Sequence, residues 1–113
     1  MESPIAPKSF KFAIRIVRLF KYLIYTKHEF ILSKQVLRSG TAIGANIAES
    51  EHAQSRADFT SKMTIALKEA DETRYWLQLL RASGYLTSVQ ADSILSDCTE
   101  LIRMLSSIVK NLK

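Results

Sequence analysis

The chain has 113 residues, a net charge of +5 and a hydrophobic fraction of 47%. These values are typical of one globular domain, spanning residues 1–113, and exclude a disordered protein. Only three glycines and two prolines occur, both prolines within the first seven residues, so the chain lacks the regularly spaced turns of an all-β sandwich or barrel. The single cysteine, Cys98, excludes an internal disulfide and a cysteine-based zinc cage.

Positive charge is concentrated in the first third of the chain. Residues 1–40 hold eight basic and two acidic residues, whereas the remainder is close to neutral. A basic end on a neutral body indicates a polyanionic partner, either nucleic acid or an anionic membrane, or a face that is simply solvated. Four cations interrupt the apolar stretch 10–25, and the amino terminus lacks the pattern of a signal peptide. We therefore predict a cytoplasmic protein without a membrane span.

The first predicted helix covers residues 8–26. Its apolar residues occupy about half of the helix circumference, while Lys8, Lys11, Arg15 and Arg18 fall together on the opposite side, with Tyr22 among them. So wide an apolar arc exceeds what one neighbouring helix covers. It predicts burial on two sides, for example against another subunit.

The second predicted helix covers residues 34–52, with Ser33 as its N-cap. Gly40, Gly44 and Ala48 recur at every fourth residue and form a strip of small side chains. Two glycines inside a helix cost about 1 kcal/mol each relative to alanine. The strip therefore indicates a close approach by another helix.

The third and fourth predicted helices cover residues 56–83 and 88–112. Ser55 with Asp58, and Thr87 with Gln90, resemble capping boxes at their starts. Steps of three and four residues then define one seam on each helix. The seams are Phe59, Met63, Ala66, Ala70, Thr73, Leu77 and Leu80, and Ile94, Cys98, Leu101, Leu105, Ile108 and Leu112. Four amphipathic helices with short connections predict an all-α, antiparallel up-down-up-down four-helix bundle, with Cys98 as a small core residue.

No sequence motif points to catalysis. His28 and His52 are the only histidines, and with one cysteine they do not supply a convincing metal shell. A di-iron bundle needs two Glu-x-x-His motifs, whereas this chain has one, at residues 49–52. Phosphate-loop, dinucleotide-binding and nucleophile-elbow motifs are absent. We predict neither an enzyme nor a bound metal or cofactor.

Polar residues on the second and third helices predict a structural network. Asn46 and Glu49 are three residues apart and share a helix face. If they point inward, hydrogen bonds to the third helix would fix the register of the two helices. Arg38 fits either this network or a solvent-facing position. The predicted network comprises Asn46, Glu49, Glu69, Glu72 and Arg74, and we favour this structural interpretation over a ligand site.

Two runs of sequence resemble a known family. Residues 35–49, QVLRSGTAIGANIAE, resemble the signature of a bacterial four-helix bundle family encoded in intervening sequences of large-subunit ribosomal RNA genes. Residues 59–77, FTSKMTIALKEADETRYWL, and 83–86, SGYL, are similarly typical. The resemblance implies a homopentamer around a central channel. Relatives include the accessory protein of diversity-generating retroelements, a basic pentamer that binds nucleic acid and its reverse transcriptase, so a protein partner of that kind is also implied.

The leading functional hypothesis is a non-enzymatic homo-oligomer that binds RNA or DNA through phosphates, with little sequence specificity. The alternative is a protein-interaction scaffold or accessory subunit without direct nucleic-acid binding. Peripheral membrane binding would require the apolar face of the first helix to be free, whereas a bundle buries it, so no membrane partner is expected. The predicted nucleic-acid-binding residues are Lys8, Lys11, Arg15, Arg18, Lys21, Tyr22, Lys34 and Arg38.

Overall fold

The computed structural model describes residues 4–112, which form four α-helices and no β-strand. Each helix packs against its neighbours in the chain, and α1 also contacts α4, which closes a bundle 43 Å long and 20 Å across. Short connections make consecutive helices antiparallel. The predicted all-α four-helix bundle is confirmed. The helices are α1 (Ile5–Tyr25), α2 (Leu32–Ser50), α3 (Arg56–Ala82) and α4 (Ser88–Leu112).

Side-chain caps fix the starts of α3 and α4, as the sequence predicts. Ser55 Oγ accepts a hydrogen bond from the Asp58 N–H at 3.0 Å. Thr87 and Gln90 form a reciprocal box, with hydrogen bonds of 2.9 and 3.1 Å between each N–H and the other side chain. These bonds satisfy first-turn N–H groups that have no partner within the helix.

The start of α2 differs from the prediction. Ser33 is buried in the first turn and is not the N-cap, because the Glu29 carboxylate reaches forward to that position. It accepts hydrogen bonds from the N–H groups of Ile31 at 3.2 Å, Leu32 at 3.0 Å and Ser33 at 2.7 Å. Burial raises the pKa of Glu29, but these three bonds outweigh it and hold the pKa below its ordinary value.

The core follows the predicted seam of α3 and most of that of α4. Cys98 is fully buried, its Sγ lies 3.4 Å from the carbonyl oxygen of Ala70, and burial raises the pKa of the thiol to about 12. It is therefore a core residue, as predicted. At the end of α4 the buried row passes from Leu105 to Val109, whereas Ile108 is only partly buried. A straight helix has 3.6 residues per turn, so a 3.5-residue seam drifts around it.

Helices α1 and α2 approach each other closely at the predicted strip of small residues. A Cβ placed on Gly40 would lie 2.7 to 2.9 Å from three side-chain carbons of Ile16. A Cβ on Gly44 would lie 3.4 Å from the nearest atoms of Ser9, which is an ordinary contact. Gly40 is therefore the position at which the absence of a side chain sets the distance between the helices.

Helix α1 has two apolar faces, and only one of them lies in the core. The inner face includes Phe12, Ile16 and Leu23, all buried. The outer face includes Phe10, which is 68% exposed, and the partly covered Ile14 and Val17. The wide apolar arc predicted from the sequence is thus left partly uncovered by the single chain.

Candidate nucleic-acid interface

Helix α1 carries five cations and no acidic residue. Side chains seven residues apart lie almost in line along a helix, since seven residues make nearly two turns. Lys8 and Arg15 form one such line, directed towards α4. Lys11 and Arg18 form a second line, and Lys21 lies one turn beyond Arg18.

The line directed towards α4 is engaged in ion pairs. Lys8 pairs with Glu100. Arg15 donates to Asp97 Oδ2 at 2.7 Å, to the Ser93 hydroxyl at 2.9 Å and to the Ser93 carbonyl oxygen at 3.2 Å. These two predicted phosphate ligands therefore join α1 to α4, and their charge is compensated by neighbouring acids.

The second line presents free charge. Lys11, Arg18 and Lys21 are exposed, and none of them forms an ion pair with another residue of the described range 4–112. Lys34, in the first turn of α2, is exposed and unpaired in the same range. Arg18 and Lys21 border a groove whose other walls are the outer apolar residues of α1.

Arg38 lies at the surface between α2 and α3, where it pairs with two carboxylates. Its guanidinium is 3.3 Å from Glu69 and also bonds Glu72, which accepts a further hydrogen bond from Trp76 Nε1 at 2.9 Å. The Trp76 bond and the Arg38 charge outweigh partial burial and lower the pKa of Glu72. The Glu72 hydrogen bond in turn raises the pKa of Arg38. Two neighbouring carboxylates thus offset the charge that Arg38 would offer a phosphate.

The other residues of the predicted polar network do not join this cluster. Asn46 donates to the Ala42 carbonyl within its own helix at 2.8 Å, and Arg74 pairs with Asp71 within α3. Glu49 is exposed and pairs with Lys62 at 3.2 Å. The long side chains reach the solvent-exposed edges of the helix seam, so the predicted residues form separate surface contacts rather than one buried network.

A buried polar contact between α2 and α3 does exist, and it was not predicted. Thr73 Oγ1 donates to Ser39 Oγ at 2.8 Å, and both residues are fully buried. The two hydroxyl groups therefore satisfy each other within the core. The available signal was Thr73 within an otherwise apolar seam.

Tyr22, one of the predicted nucleic-acid-binding residues, is half-buried against α4. Gln90 Nε2 donates to its hydroxyl at 3.4 Å, and the Lys27 ammonium lies 6.0 Å from the centre of its ring. Tyr25, three residues later, is instead 74% exposed. The side chain that offers an open ring face is therefore Tyr25 rather than Tyr22.

The described residues show neither a metal site nor a membrane-spanning helix. In residues 4–112, no group of three or more His, Cys, Asp or Glu side chains has an arrangement that could hold a metal ion. None of the four helices combines the length and apolar character that crossing a membrane requires.

Comparisons with known proteins place this chain in a family. Residues 1–107 match the family model of the 23S rRNA-intervening sequence protein. The chain is 57% identical to a protein of unknown function from the S23 ribosomal protein family of Bacteroides thetaiotaomicron VPI-5482, whose crystal structure superposes with a TM-score of 0.92. That match covers 94% of this chain and 98% of the other. No curated protein matches the sequence significantly. The chain belongs to the 23S rRNA-intervening sequence protein family.

Proposed function

We propose that this protein is a non-enzymatic, homo-oligomeric module that binds RNA or DNA through the phosphate backbone with little sequence preference. The observation that carries the proposal is the charge of α1: a helix with five cations and no acid, on which Lys11, Arg18 and Lys21 remain exposed and unpaired within residues 4–112. Lysine and arginine on one exposed helix face are the usual ligands of phosphates.

The spacing of these cations suits a polyanion better than a single small anion. Lys11 and Arg18 are separated by about 10 Å along the helix axis, because each residue advances the helix by 1.5 Å. Lys21 adds a third charge at the same end of α1. The side chains present charge without a fixed array of base-reading donors and acceptors, so contacts to phosphates would position the nucleic acid without specifying its sequence.

The charge proposal is tested by reversing the three free cations together. We expect Lys11→Glu/Arg18→Glu/Lys21→Glu to weaken binding to duplex DNA about a thousandfold at 0.1 M salt, because each phosphate left without a cation reduces affinity there by roughly a factor of ten. The salt dependence of log K should become shallower by about 0.9 for each phosphate that is no longer neutralised. Fluorescence anisotropy across a salt series measures both quantities.

The control for that variant has the same change in net charge on another surface. Lys68, Arg103 and Lys110 are exposed on α3 and α4, and reversing all three should leave the salt dependence nearly unchanged. An equal fall in affinity in both variants would contradict a site on α1. Wild-type protein that binds no nucleic acid even at low salt would overturn the proposal, and a single protein captured after nuclease treatment would then support the scaffold alternative.

Self-association is supported by the outer apolar face of α1 and by the family resemblance, which implies five subunits. This face continues across Gly44, Ala45 and Ala48 of α2 as a groove of about 330 Å³ whose walls are almost entirely apolar. Phe10 stands at its edge, 68% exposed. Exposed apolar surface of this kind marks protein contacts.

We expect Phe10→Asp to dissociate the oligomer to a folded monomer of 12.8 kDa, because a charge on this face must be desolvated on association. Light scattering gives the mass, and circular dichroism checks the helix content. Val89→Asp is the matched control, since Val89 is 82% exposed on α4 and does not line the groove formed by α1 and α2. A monomeric wild type, or a Phe10→Asp protein of unchanged mass, would refute self-association through α1.

A further inference from the structure

Large apolar side chains project into solvent at the end of the bundle where α1 joins α2. Tyr25 is 74% exposed, Phe30 54% and Ile31 74%. They fall within seven consecutive residues around the connection, whereas the other exposed large apolar residues lie within the helices, three of them on the outer face of α1. Clusters of exposed apolar side chains usually mark a binding surface.

Hydrogen bonds fix the backbone of the connection between α1 and α2. Glu29 is 8% exposed, its N–H donates to the Leu23 carbonyl at 2.9 Å, and its carboxylate holds the first turn of α2. Its neighbour His28 has a φ of +54°, a left-handed conformation that costs energy for any residue other than glycine. Glu29 points into the protein, whereas His28 and Phe30 on either side of it are exposed, with ring centres 6.4 Å apart. The rings are thus held outward by a fixed backbone.

The surroundings of this surface are basic. Lys21, Lys27 and Lys34 are exposed on α1, the connection and α2, respectively. Glu29 is the only acidic residue between positions 4 and 48, and its carboxylate is occupied by backbone N–H groups. Three lysines therefore flank the exposed rings without a neighbouring acid in the same stretch to compensate them.

From this combination we infer that the α1–α2 end of the bundle binds single-stranded nucleic acid, with unpaired bases stacked on Tyr25 and Phe30 and phosphates held by Lys27 and Lys34. The inference rests on the proposed function and names the form of nucleic acid that this site prefers. Open aromatic faces beside lysines are the combination that single-strand binding proteins use, because every base has a flat face to stack. In a duplex those faces are already stacked, so the rings would gain nothing from paired bases.

The test compares single-stranded and duplex substrates of the same length. Fluorescence anisotropy is measured with a labelled 20-nucleotide oligo(dT) or oligo(U) and with a mixed-sequence 20-base-pair duplex, across the same series of salt concentrations. We expect Tyr25→Ala/Phe30→Ala to weaken single-strand binding at least tenfold, since each stacked base contributes a factor of about 5 to 150. Duplex binding should change less than twofold, and the salt dependence of single-strand binding should stay the same because every phosphate-binding cation is retained.

Two further variants separate stacking from other roles. Tyr25→Trp/Phe30→Trp keeps the flat rings and should restore single-strand affinity to within about twofold of the wild type. Val89→Ala removes an exposed apolar side chain from α4 and should leave single-strand affinity unchanged. Both variants and the alanine pair are expected to melt at the wild-type temperature, because the replaced side chains are mainly solvent-exposed.

The outcomes distinguish this inference from the proposal on which it rests. If the alanine pair retains full single-strand affinity while the α1 charge reversal abolishes binding, the stacking site is wrong and the phosphate-binding function stands. If the wild-type protein binds neither substrate, both fall. A third outcome is that the wild type floats with anionic phosphatidylserine vesicles, that the alanine pair does not, and that the wild type shows no preference for single strands. This result would assign the surface to a membrane and overturn the inference.

Discussion

Gly40→Ala is expected to lower the free energy of unfolding by about 2 kcal/mol, because the added methyl group would overlap Ile16. The new Cβ would lie 2.7 to 2.9 Å from three carbons of that side chain, whereas carbon atoms in contact are about 3.5 to 4.0 Å apart. Ile16 is fully buried in α1, so its side chain could move aside only within the packed core. Overpacking costs about 1 to 3 kcal/mol, and overlap with three carbons places Gly40→Ala near the upper limit. Subtracting the gain of up to about 1 kcal/mol from helix propensity leaves a net loss of about 2 kcal/mol.

Gly44→Ala provides the matched control, since it makes the same chemical change one helical turn later. Its Cβ would lie 3.4 Å from Ser9, so the gain in helix propensity should leave stability unchanged or raise it by up to about 1 kcal/mol. Urea unfolding at one fixed protein concentration measures both variants, because the stability of an oligomer depends on concentration. Equal stabilities of the two variants would show that Ile16 does not set the distance between α1 and α2.

Glu29→Gln is expected to destabilise the protein by about 2 kcal/mol at neutral pH. The carboxylate accepts hydrogen bonds from three consecutive N–H groups at the start of α2, and bonds to a charged acceptor are worth about 1.5 to 3 kcal/mol. In glutamine one acceptor oxygen becomes an NH₂ group, which would face an N–H donor in a buried position. The effect combines a missing acceptor with the removal of negative charge at a helix N-terminus.

The cost of Glu29→Gln should depend on pH with a defined sign. The pKa of Glu29 is held below its ordinary value of 4.5 in the folded protein, so the unfolded chain takes up the proton first as pH falls. The stabilisation by the carboxylate is therefore fully present above about pH 5 and is lost as the pH drops through 4.5 towards the folded-state pKa. The stability difference between wild type and variant should shrink over that interval.

Glu51→Gln is the control for this pH dependence. Glu51 is an exposed acid at the opposite end of α2 and forms no ion pair within residues 4–112. Its replacement should change stability by less than about 0.5 kcal/mol at every pH. A Glu29→Gln penalty that stays constant from pH 7 to pH 3 would contradict the role assigned to the carboxylate.

The candidate interface shows that a charge pattern in the sequence predicts a basic surface but not which of its cations form ion pairs. The sequence placed seven cations in one nucleic-acid-binding group with Tyr22, but the fold divides the cations according to which helices they meet. Lys8, Arg15 and Arg38 have acids opposite them on α4 and α3. Lys11, Arg18, Lys21 and Lys34 form no ion pair within the described residues. Because those acids are 31 to 92 positions away in the chain, no local pattern could reveal the pairing.

Sequence patterns also did not predict the exposed apolar side chains at the α1–α2 end of the bundle. Phe30 and Ile31 are apolar residues next to a helix start, and apolar residues in such positions are usually buried. Their exposure follows from Glu29, whose carboxylate turns inward to hold α2. The sequence signal for that role was weak, because serine and not glutamate is the common N-cap, and Ser33 stood close by.

The sequence by itself determined four amphipathic helices, the caps of α3 and α4, the core position of Cys98 and membership of the family. These features depend on residues within a few positions of one another, where helical periodicity and side-chain-to-backbone hydrogen bonds operate. The tertiary structure alone decided which part of the apolar arc of α1 enters the core, which cations remain unpaired, and where Gly40 meets Ile16. Each of those depends on the rotation of one helix against another, which is set by the packing of side chains distant in sequence.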